Sequence, residues 1–171
     1  MDTNHRRKHI LDAIAQSNHP LSASALAKEL SVSRQIIVGD VALLRAQGHE
    51  IIATARGYML PQFNETQYIG KVACKHSSED TRLELCCIVD LDATVVNAII
   101  SHELYGEITG TLNLKTRGDV DAFIRKIESA EVKLLSELTA GIHLHTIACR
   151  DNEHFQQVYQ ALKTNGYLFH D

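Results

Sequence analysis

The His-x-His motif of this chain lies in the stretch Ala140-Gly141-Ile142-His143-Leu144-His145-Thr146-Ile147. Isoleucine and leucine after a glycine favour a β-strand. Side chains alternate between the two faces of a strand, so His143 and His145 share one face and Ile142 and Leu144 the other. The Cα atoms of the two histidines would be roughly 6.5–7 Å apart, a spacing from which two imidazoles can bind one metal ion. The alternative is a half-exposed strand whose polar face carries two histidines.

The composition is that of a soluble protein with a hydrophobic core. Of its 171 residues, 44% are hydrophobic, and the mean hydropathy is -0.13. No apolar run is long enough to span a membrane, and no signal segment begins the sequence, so we expect a cytoplasmic protein. The four cysteines have no Cys-x-x-Cys spacing and predict reduced, mostly buried thiols, with zinc ligation as the alternative.

The charge is distributed unevenly along the chain. Residues 1–60 carry seven Lys and Arg against five acidic residues, whereas residues 61–171 carry ten against sixteen. Such asymmetry suggests two domains with different partners. Residues 61–66 contain a proline and have no hydrophobic period, which predicts a linker. We therefore expect one domain over residues 1–60 and a second over residues 67–171.

Three helices followed by a hairpin are predicted in residues 1–60. Apolar residues at helical spacing predict a first helix over residues 5–17, and Ser22 and Ser33 can cap two more that a tight turn connects. Strand-like runs at residues 49–54 and 58–60 then flank Gly57, which allows a turn. This order is typical of a winged helix-turn-helix domain.

Candidate DNA contacts follow from the geometry of that domain, in which the N-terminal part of the third helix meets base edges in the major groove. We predict base contacts from the residues of this helix that lie off its apolar stripe, namely Ser33, Arg34, Gln35 and Val38. We predict phosphate contacts from basic residues near the first helix and at the wing, namely Arg6, Arg7, Lys8 and Arg56. A winged helix used for protein contacts is the alternative.

Residues 67–171 predict the order β-α-β-β-α-β-α. Strands are expected at residues 68–74, 95–102 and 107–113 and at the His-x-His motif, and helices are expected after caps at Ser78, Thr116 and either Asp151 or Asn152. The predicted fold class is therefore α+β, an N-terminal winged helix-turn-helix followed by a ferredoxin-like β-α-β-β-α-β-α sandwich.

Two further residues complete a candidate metal site with His143 and His145. His76 follows the first strand of the second domain, and Glu84 lies in the helix after it. In a ferredoxin-like order the first and last strands can lie near each other beneath that helix. Three imidazoles and a carboxylate suit zinc, nickel or ferrous iron better than calcium or magnesium. The alternative makes His76 a loop residue and Glu84 part of a solvated helix face.

The remaining histidines of the second domain, His102, His154 and His170, are isolated in pattern, and we expect them at surface or hairpin positions. His102 is also a candidate hydrogen-bond partner for a metal-binding histidine, since such histidines usually donate their second ring N–H to another group.

Two stretches together resemble a known family. Residues 33–48 (SRQIIVGDVALLRAQG) and 135–147 (LSELTAGIHLHTI) resemble the niacin-responsive transcriptional repressors, built from a biotin-repressor-type helix-turn-helix and a domain named for three histidines, the 3H domain. The resemblance covers the whole chain. It implies a metal held by the residues matching His76, Glu84, His143 and His145, a homodimer, and nicotinic acid as corepressor controlling niacin uptake or NAD synthesis.

The expected function is therefore that of a dimeric repressor, not an enzyme or a membrane protein, that binds double-stranded operator DNA, a divalent transition metal and nicotinic acid. The candidate partners for the nicotinate carboxylate are Arg82, Arg117 and Arg150. Two alternatives stay open. One is a repressor that senses the metal ion itself. The other is a metal-dependent hydrolase fused to a regulatory domain, which would need a general base besides a ligating Glu84.

Overall fold

The structure is a computed structural model that describes residues 2–61 and 67–170. The chain divides into two compact units between Phe63 and Asn64. The predicted linker over residues 61–66 lies, apart from Pro61, outside the described residues. None of the described helices is both long and apolar enough to cross a membrane.

The N-terminal unit has the predicted winged helix-turn-helix order. Ser22 and Ser33 are the helix caps, because their side chains accept hydrogen bonds from the backbone N–H groups of Ala25 and Ile36 at 3.0 and 3.3 Å. The two wing strands pair antiparallel, and Tyr58 exchanges backbone hydrogen bonds with Leu21. The elements are α1 (Thr3–Gln16), α2 (Ala23–Glu29), α3 (Arg34–Ala46), β1 (Ile52–Thr54) and β2 (Gly57–Met59).

A part-buried cluster of one carboxylate and two guanidinium groups joins α1 to α3. The Asp40 carboxylate accepts hydrogen bonds from Nε of Arg6 at 2.5 Å and from Nε of Arg7 at 2.9 Å. Burial acts to raise the pKa of Asp40, but the two guanidinium groups outweigh burial and hold this pKa below its ordinary value. The charged form of Asp40 therefore stabilises the folded unit.

Asp40→Asn should lower the free energy of unfolding of this unit at pH 7 by about 1.5–3 kcal/mol, the range for hydrogen bonds to charged groups. Because the folded-state pKa of Asp40 is depressed, the stabilisation is present above the ordinary carboxyl pKa of about 3.9 and is lost as the pH falls below it. Hydrogen exchange of α1 and α3 peptides in the full chain at pH 7 measures the loss of stability in the variant. Thermal unfolding of wild type and variant at pH 7 and 3.5 measures how that loss depends on pH.

The matched control for this variant is Asp12→Asn, since Asp12 is an exposed carboxylate on the same helix α1. It should leave the protection of α1 and α3 unchanged. Equal protection in the wild type and in Asp40→Asn at pH 7 would contradict a stabilising role for the ion pair.

The C-terminal unit has the predicted order β-α-β-β-α-β-α. Its elements are β3 (Tyr68–Lys75), α4 (Thr81–Val89), β4 (Thr94–His102), β5 (Gly106–Leu114), α5 (Arg117–Ala130), β6 (Ile142–Cys149) and α6 (Asn152–Thr164), with 3₁₀ turns at Ser78–Asp80 and Leu135–Thr139. Helix α4 packs against α5 and α6, and α6 packs against β3 and β6. The α+β class is confirmed.

The predicted caps of two of the three helices are confirmed. Thr116 and Asp119 form a capping box at α5, and Asp151 caps α6 by accepting from the His154 backbone N–H. The prediction for Ser78 is wrong. It lies in the 3₁₀ turn before α4, and Asp80 occupies the N-cap position.

The sheet is antiparallel, with the strand order β3-β6-β4-β5. The first and last strands are neighbours, as the predicted metal site requires. The order differs from the usual ferredoxin-like one, because β6 lies inside the sheet and β3 lies at its edge. The segment after α6 covers that edge. Tyr167 O accepts from Lys75 N, and Phe169 N donates to Ala73 O, both at 2.9 Å.

Candidate metal centre

Strand β6 turns its two histidines towards the interior of the C-terminal unit. His143 and His145 are 4% and 2% exposed, whereas their neighbour Ile142 is 38% exposed. The alternation predicted for this strand is therefore present, but the histidine face is the buried one. This excludes the alternative in which two histidines stand on an exposed polar face.

The carboxylate of Glu84 meets three imidazole rings. Glu84 lies on α4, is 1% exposed and faces the sheet. The Nε2 atom of His76 lies 2.7 Å from Oε2 of Glu84, while the Nε2 atoms of His143 and His145 lie 3.1 and 3.2 Å from Oε1. The structure thus brings together all four residues that the sequence analysis selected.

The other nitrogen of each ring is held by a backbone carbonyl. Nδ1 of His143 lies 2.9 Å from the oxygen of Gly141, Nδ1 of His145 lies 2.8 Å from that of Asn97, and Nδ1 of His76 lies 2.7 Å from that of Ser77. A carbonyl oxygen only accepts, so each Nδ1 carries the proton and donates it. Every neutral ring then directs the lone pair of Nε2 towards Glu84, the arrangement typical of metal-binding histidines.

A register shift in β4 supplies one of these carbonyls. The pairing of β4 with both of its neighbours shifts between Val95 and Asn97. Such a bulge leaves a residue outside the regular ladder. Val96 is the unpaired residue, and next to it the backbone oxygen of Asn97 accepts from His145 while the Asn97 side-chain Oδ1 accepts from the Thr146 N–H at 3.1 Å.

His102 does not act as a partner of the three rings. Its Nδ1 accepts from the backbone N–H groups of Leu104 and Tyr105 in the β4–β5 turn, as expected for a hairpin position. The surface position expected for His154 is wrong. This residue is buried, and both of its ring nitrogens have partners: Nε2 contacts the Leu91 carbonyl and Nδ1 accepts from Arg150 N.

Electrostatics at the site favour a positive charge beside Glu84. Burial acts to raise the pKa of Glu84, but the rings of His145, His143 and His76 outweigh it and hold this pKa well below its ordinary value. Burial likewise acts to lower the pKa values of His76 and His145, but the Glu84 carboxylate reverses that effect and raises both.

The arrangement fits a divalent cation. Without a metal, protonated rings can supply the positive charge that Glu84 favours. A divalent cation would supply that charge instead and would let neutral rings direct the lone pairs of Nε2 at the ion. Two of these atoms, Nε2 of His76 and Nε2 of His145, are buried and contact Glu84 at 2.7 and 3.2 Å, but they form no hydrogen bond of regular geometry among the described residues. Nitrogen and oxygen ligands about 2.0–2.2 Å from one metal lie about 3.0–3.4 Å from each other. The observed distances of 2.7–3.2 Å to Glu84 are close to that range.

One residue near this centre was not selected from the sequence. Cys74 on β3 brings Sγ close to the Glu84 carboxylate and the His143 ring, with the three ligand atoms all within 4.8 Å of one another. It lies opposite His143 in the β3–β6 register. The strand pairing, which spacing along the chain does not reveal, produces this contact. The free, mostly buried state predicted for the four cysteines is confirmed.

The predicted base-contacting residues of α3 have different environments in the N-terminal unit. Arg34 and Gln35 are exposed, Ser33 caps the helix, and Val38 packs partly against the core. Two apolar residues on the exposed part of α3, Ile36 and Leu43, were not selected. The sequence could have predicted this exposure, because both residues lie off the helical stripe formed by the buried residues of α3.

The predicted phosphate-contacting residues also differ in environment. Lys8 is exposed, and Arg56 is half-buried in the wing turn, where its N–H donates to Oγ1 of Thr54. Arg6 and Arg7 direct Nε to Asp40, so their observed role is to hold α1 against α3. Phosphate contact through their other guanidinium nitrogens stays a prediction.

Comparison with known proteins identifies both units. A family model described as a 3H domain matches residues 69–171, and one described as an HTH domain matches residues 6–59. The chain belongs to the 3H-domain family. The 3H match contains the three histidines around Glu84, and the HTH match contains α1 to β2 except for the first residues of α1.

Two relatives extend the match over nearly the full chain. The probable transcription repressor NiaR of Thermotoga maritima is 39% identical over 166 residues, which is 97% of this chain and 94% of that protein. The transcription repressor NadR of Bacillus subtilis is 40% identical over 171 residues, with the same two shares. The family resemblance is confirmed, and this 3H-domain protein is a transcription repressor of the NiaR and NadR type.

The hydrolase alternative loses its support. Both relatives are named as repressors. In addition, Glu84 contacts all three rings and is therefore not available as a separate general base.

Gly141→Ala should disturb this centre more than an ordinary glycine substitution. Gly141 has a φ of +89°, and a Cβ there would lie 2.3 Å from the backbone oxygen of His76. Gly166 has a φ of +77° with no atom within 4 Å of such a Cβ, which makes it the matched control. Gly166→Ala should cost about 1–2 kcal/mol from backbone strain alone, and Gly141→Ala more, as measured by urea unfolding. Equal losses would contradict the close packing of Gly141 on His76.

Proposed function

We propose that this repressor contains a divalent transition metal, responds to nicotinic acid and binds operator DNA as a homodimer to control genes of niacin uptake or NAD synthesis. The convergence of three Nε2 atoms on Glu84, beside an open cleft, is the observation that carries the proposal. The family resemblance supplies the effector and the dimer.

The proposed metal ligands are His76, Glu84, His143 and His145. Their donors suit zinc, nickel or ferrous iron. A bound ion would supply a Lewis-acidic centre that attracts a pyridine nitrogen or a carboxylate. The chain itself contributes the orientation of the rings, because the three backbone carbonyls keep each Nδ1 protonated and leave Nε2 for the metal.

A cleft next to His76 is the proposed effector site. Its volume is ≈ 560 Å³, within the range of about 300–1,000 Å³ that is usual for small-molecule sites. It is lined by Lys75, His76, Ser77, Ser78, Ser136, Glu137, Ala140 and Gly141. Among the lining residues Lys75 is the one lysine or arginine, with its Nζ 5.8 Å from the centroid of the Phe169 ring, and three serines contribute hydroxyl groups.

Lys75 is a better candidate for the nicotinate carboxylate than the arginines considered from the sequence. Arg82 binds Asp121 at 2.7 Å, and Arg117 binds Asp90 through two nitrogens at 2.6 Å. None of the three arginines lines the cleft, whereas Lys75 does. We therefore propose that Lys75 pairs with the carboxylate of nicotinate.

The proposed DNA contacts are those of a winged helix-turn-helix. Base contacts are assigned to the N-terminal part of α3, with Arg34 pairing with guanine and Gln35 with adenine. Lys8 and Arg56 are assigned to phosphates. A homodimer would present two α3 helices about 34 Å apart, one turn of DNA.

The effector must act through a difference in affinity between two states of the repressor. Nicotinate can strengthen DNA binding only if it binds the DNA-competent arrangement more tightly than the other. By reciprocity, operator DNA should then strengthen nicotinate binding by the same factor.

Fluorescence anisotropy of a labelled promoter fragment from a niacin-uptake or NAD-synthesis gene of the source organism tests the proposal. Salt must be constant, because phosphate contacts make the affinity steeply salt-dependent. We expect tight binding only with metal and nicotinic acid together, and loss of that binding on addition of a chelator. Full binding with zinc or nickel alone, unchanged by nicotinic acid, would instead favour a repressor that senses the metal.

Lys75→Ala should raise the nicotinic acid concentration required for half-maximal operator binding by about tenfold or more, as expected for loss of one charge-assisted hydrogen bond. The control is Lys71→Ala, because Lys71 is an exposed lysine on the same strand that does not line the cleft. It should behave as the wild type in the same titration. An unchanged half-maximal concentration in Lys75→Ala would remove Lys75 from the effector site.

A further inference from the structure

We propose that Cys74 is a thiolate ligand of the metal centre, so that sulfur holds the ion together with the imidazoles and the Glu84 carboxylate. The inference rests on the proposed metal site and adds a donor of a different chemical class. Its test separates failure of the sulfur ligand from failure of the metal site as a whole.

The strand register places the thiol at the centre. Cys74 is directly opposite His143 in the antiparallel β3–β6 pair, so both side chains lie on the same face of the sheet. Cys74 is 0% exposed. Its Sγ, a Glu84 carboxylate oxygen and a His143 ring nitrogen all lie within 4.8 Å of one another, beneath α4.

Unpartnered nitrogen atoms indicate that a group is required in the same space. Nε2 of His76 and Nε2 of His145 are buried and lie 2.7 and 3.2 Å from Glu84 oxygens, but neither contact has the geometry of a hydrogen bond, and neither atom forms one with another described residue. A cation at Glu84 would offer these nitrogen atoms a partner besides the carboxylate. Cys74 borders the same space through its contact with Glu84.

Charge neutrality favours the thiolate. A divalent ion with Glu84 as its one anionic ligand leaves a net positive charge in a site whose side chains are almost fully buried. Burial of a net charge is costly. A Cys74 thiolate supplies the second negative charge and makes the buried centre neutral.

The proton balance of the ligation step is simple. In the metal-free protein the Cys74 thiol lies beside the Glu84 carboxylate. A metal ion replaces the thiol proton, which leaves to solvent as one S–metal bond forms. No oxidant or reductant takes part.

The other cysteines are not equivalent. Cys86 on α4 and Cys149 at the end of β6 are buried but do not belong to the cluster around Glu84, and Cys87 contacts the Asn165 side chain at 3.8 Å. They provide thiols of the same chain outside the centre.

A sulfur ligand also predicts selection for zinc, nickel or cobalt over magnesium, calcium and manganese.

Cobalt(II) titration of the chelator-treated full-length protein tests the inference. We expect visible d–d bands together with a near-ultraviolet thiolate-to-cobalt charge-transfer band at one equivalent. The charge-transfer band should disappear in Cys74→Ser and persist in Cys86→Ser and Cys149→Ser. Circular dichroism of each variant monitors folding.

X-ray absorption of the zinc-loaded wild type provides a test that needs no variant. A sulfur scatterer at about 2.3 Å supports the proposal, whereas only nitrogen and oxygen at about 2.0–2.2 Å overturns it. Visible cobalt bands without charge transfer, or charge transfer that persists in Cys74→Ser, also overturn it. Absence of any cobalt band would overturn the metal site and this inference together.

Discussion

The C-terminal unit is organised around one buried carboxylate. Glu84 is 1% exposed and touches three imidazoles that come from the end of β3 and from β6. An ionised carboxylate removed from water is costly unless positive or hydrogen-bonding groups surround it. Helix α4 must therefore hold Glu84 against the histidines of β6 and the His76 ring that follows β3. The same requirement explains why β6 buries its histidines and leaves Ile142 half in solvent.

The backbone around the rings determines their chemistry. Carbonyls of Ser77, Gly141 and Asn97 hold each Nδ1, and the close approach of Gly141 to His76 connects the loop after β3 to the start of β6. That loop also borders the cleft proposed for nicotinate. A ligand in the cleft would thus touch the segments that carry two of the proposed metal ligands, which gives metal and effector a direct physical connection.

The N-terminal unit uses a buried carboxylate differently. Asp40 is paired with Arg6 and Arg7, whose guanidinium groups carry a positive charge at every physiological pH. That cluster is complete without any added ion and fastens α1 to α3. The rings around Glu84 are imidazoles, which are neutral or charged near pH 7 and bind metals when neutral. The contrast explains why one carboxylate serves as a structural link and the other is proposed to hold a metal.

Local patterns in the sequence determined the element types, most helix caps, the alternation of His143 and His145, and the selection of His76 and Glu84 as their partners. The first three depend on residues near one another in the chain, so spacing and capping chemistry predict them. The selection of His76 and Glu84 depended in addition on the predicted order of the strands, which places the first and last strands near each other. The tertiary structure decided which face of β6 is buried, the edge position of β3, the ion pairs of Arg6 and Arg7 with Asp40, and the position of Cys74 opposite His143. Each of these depends on strand register or helix packing between distant residues, and periodicity along a single chain contains no information about either.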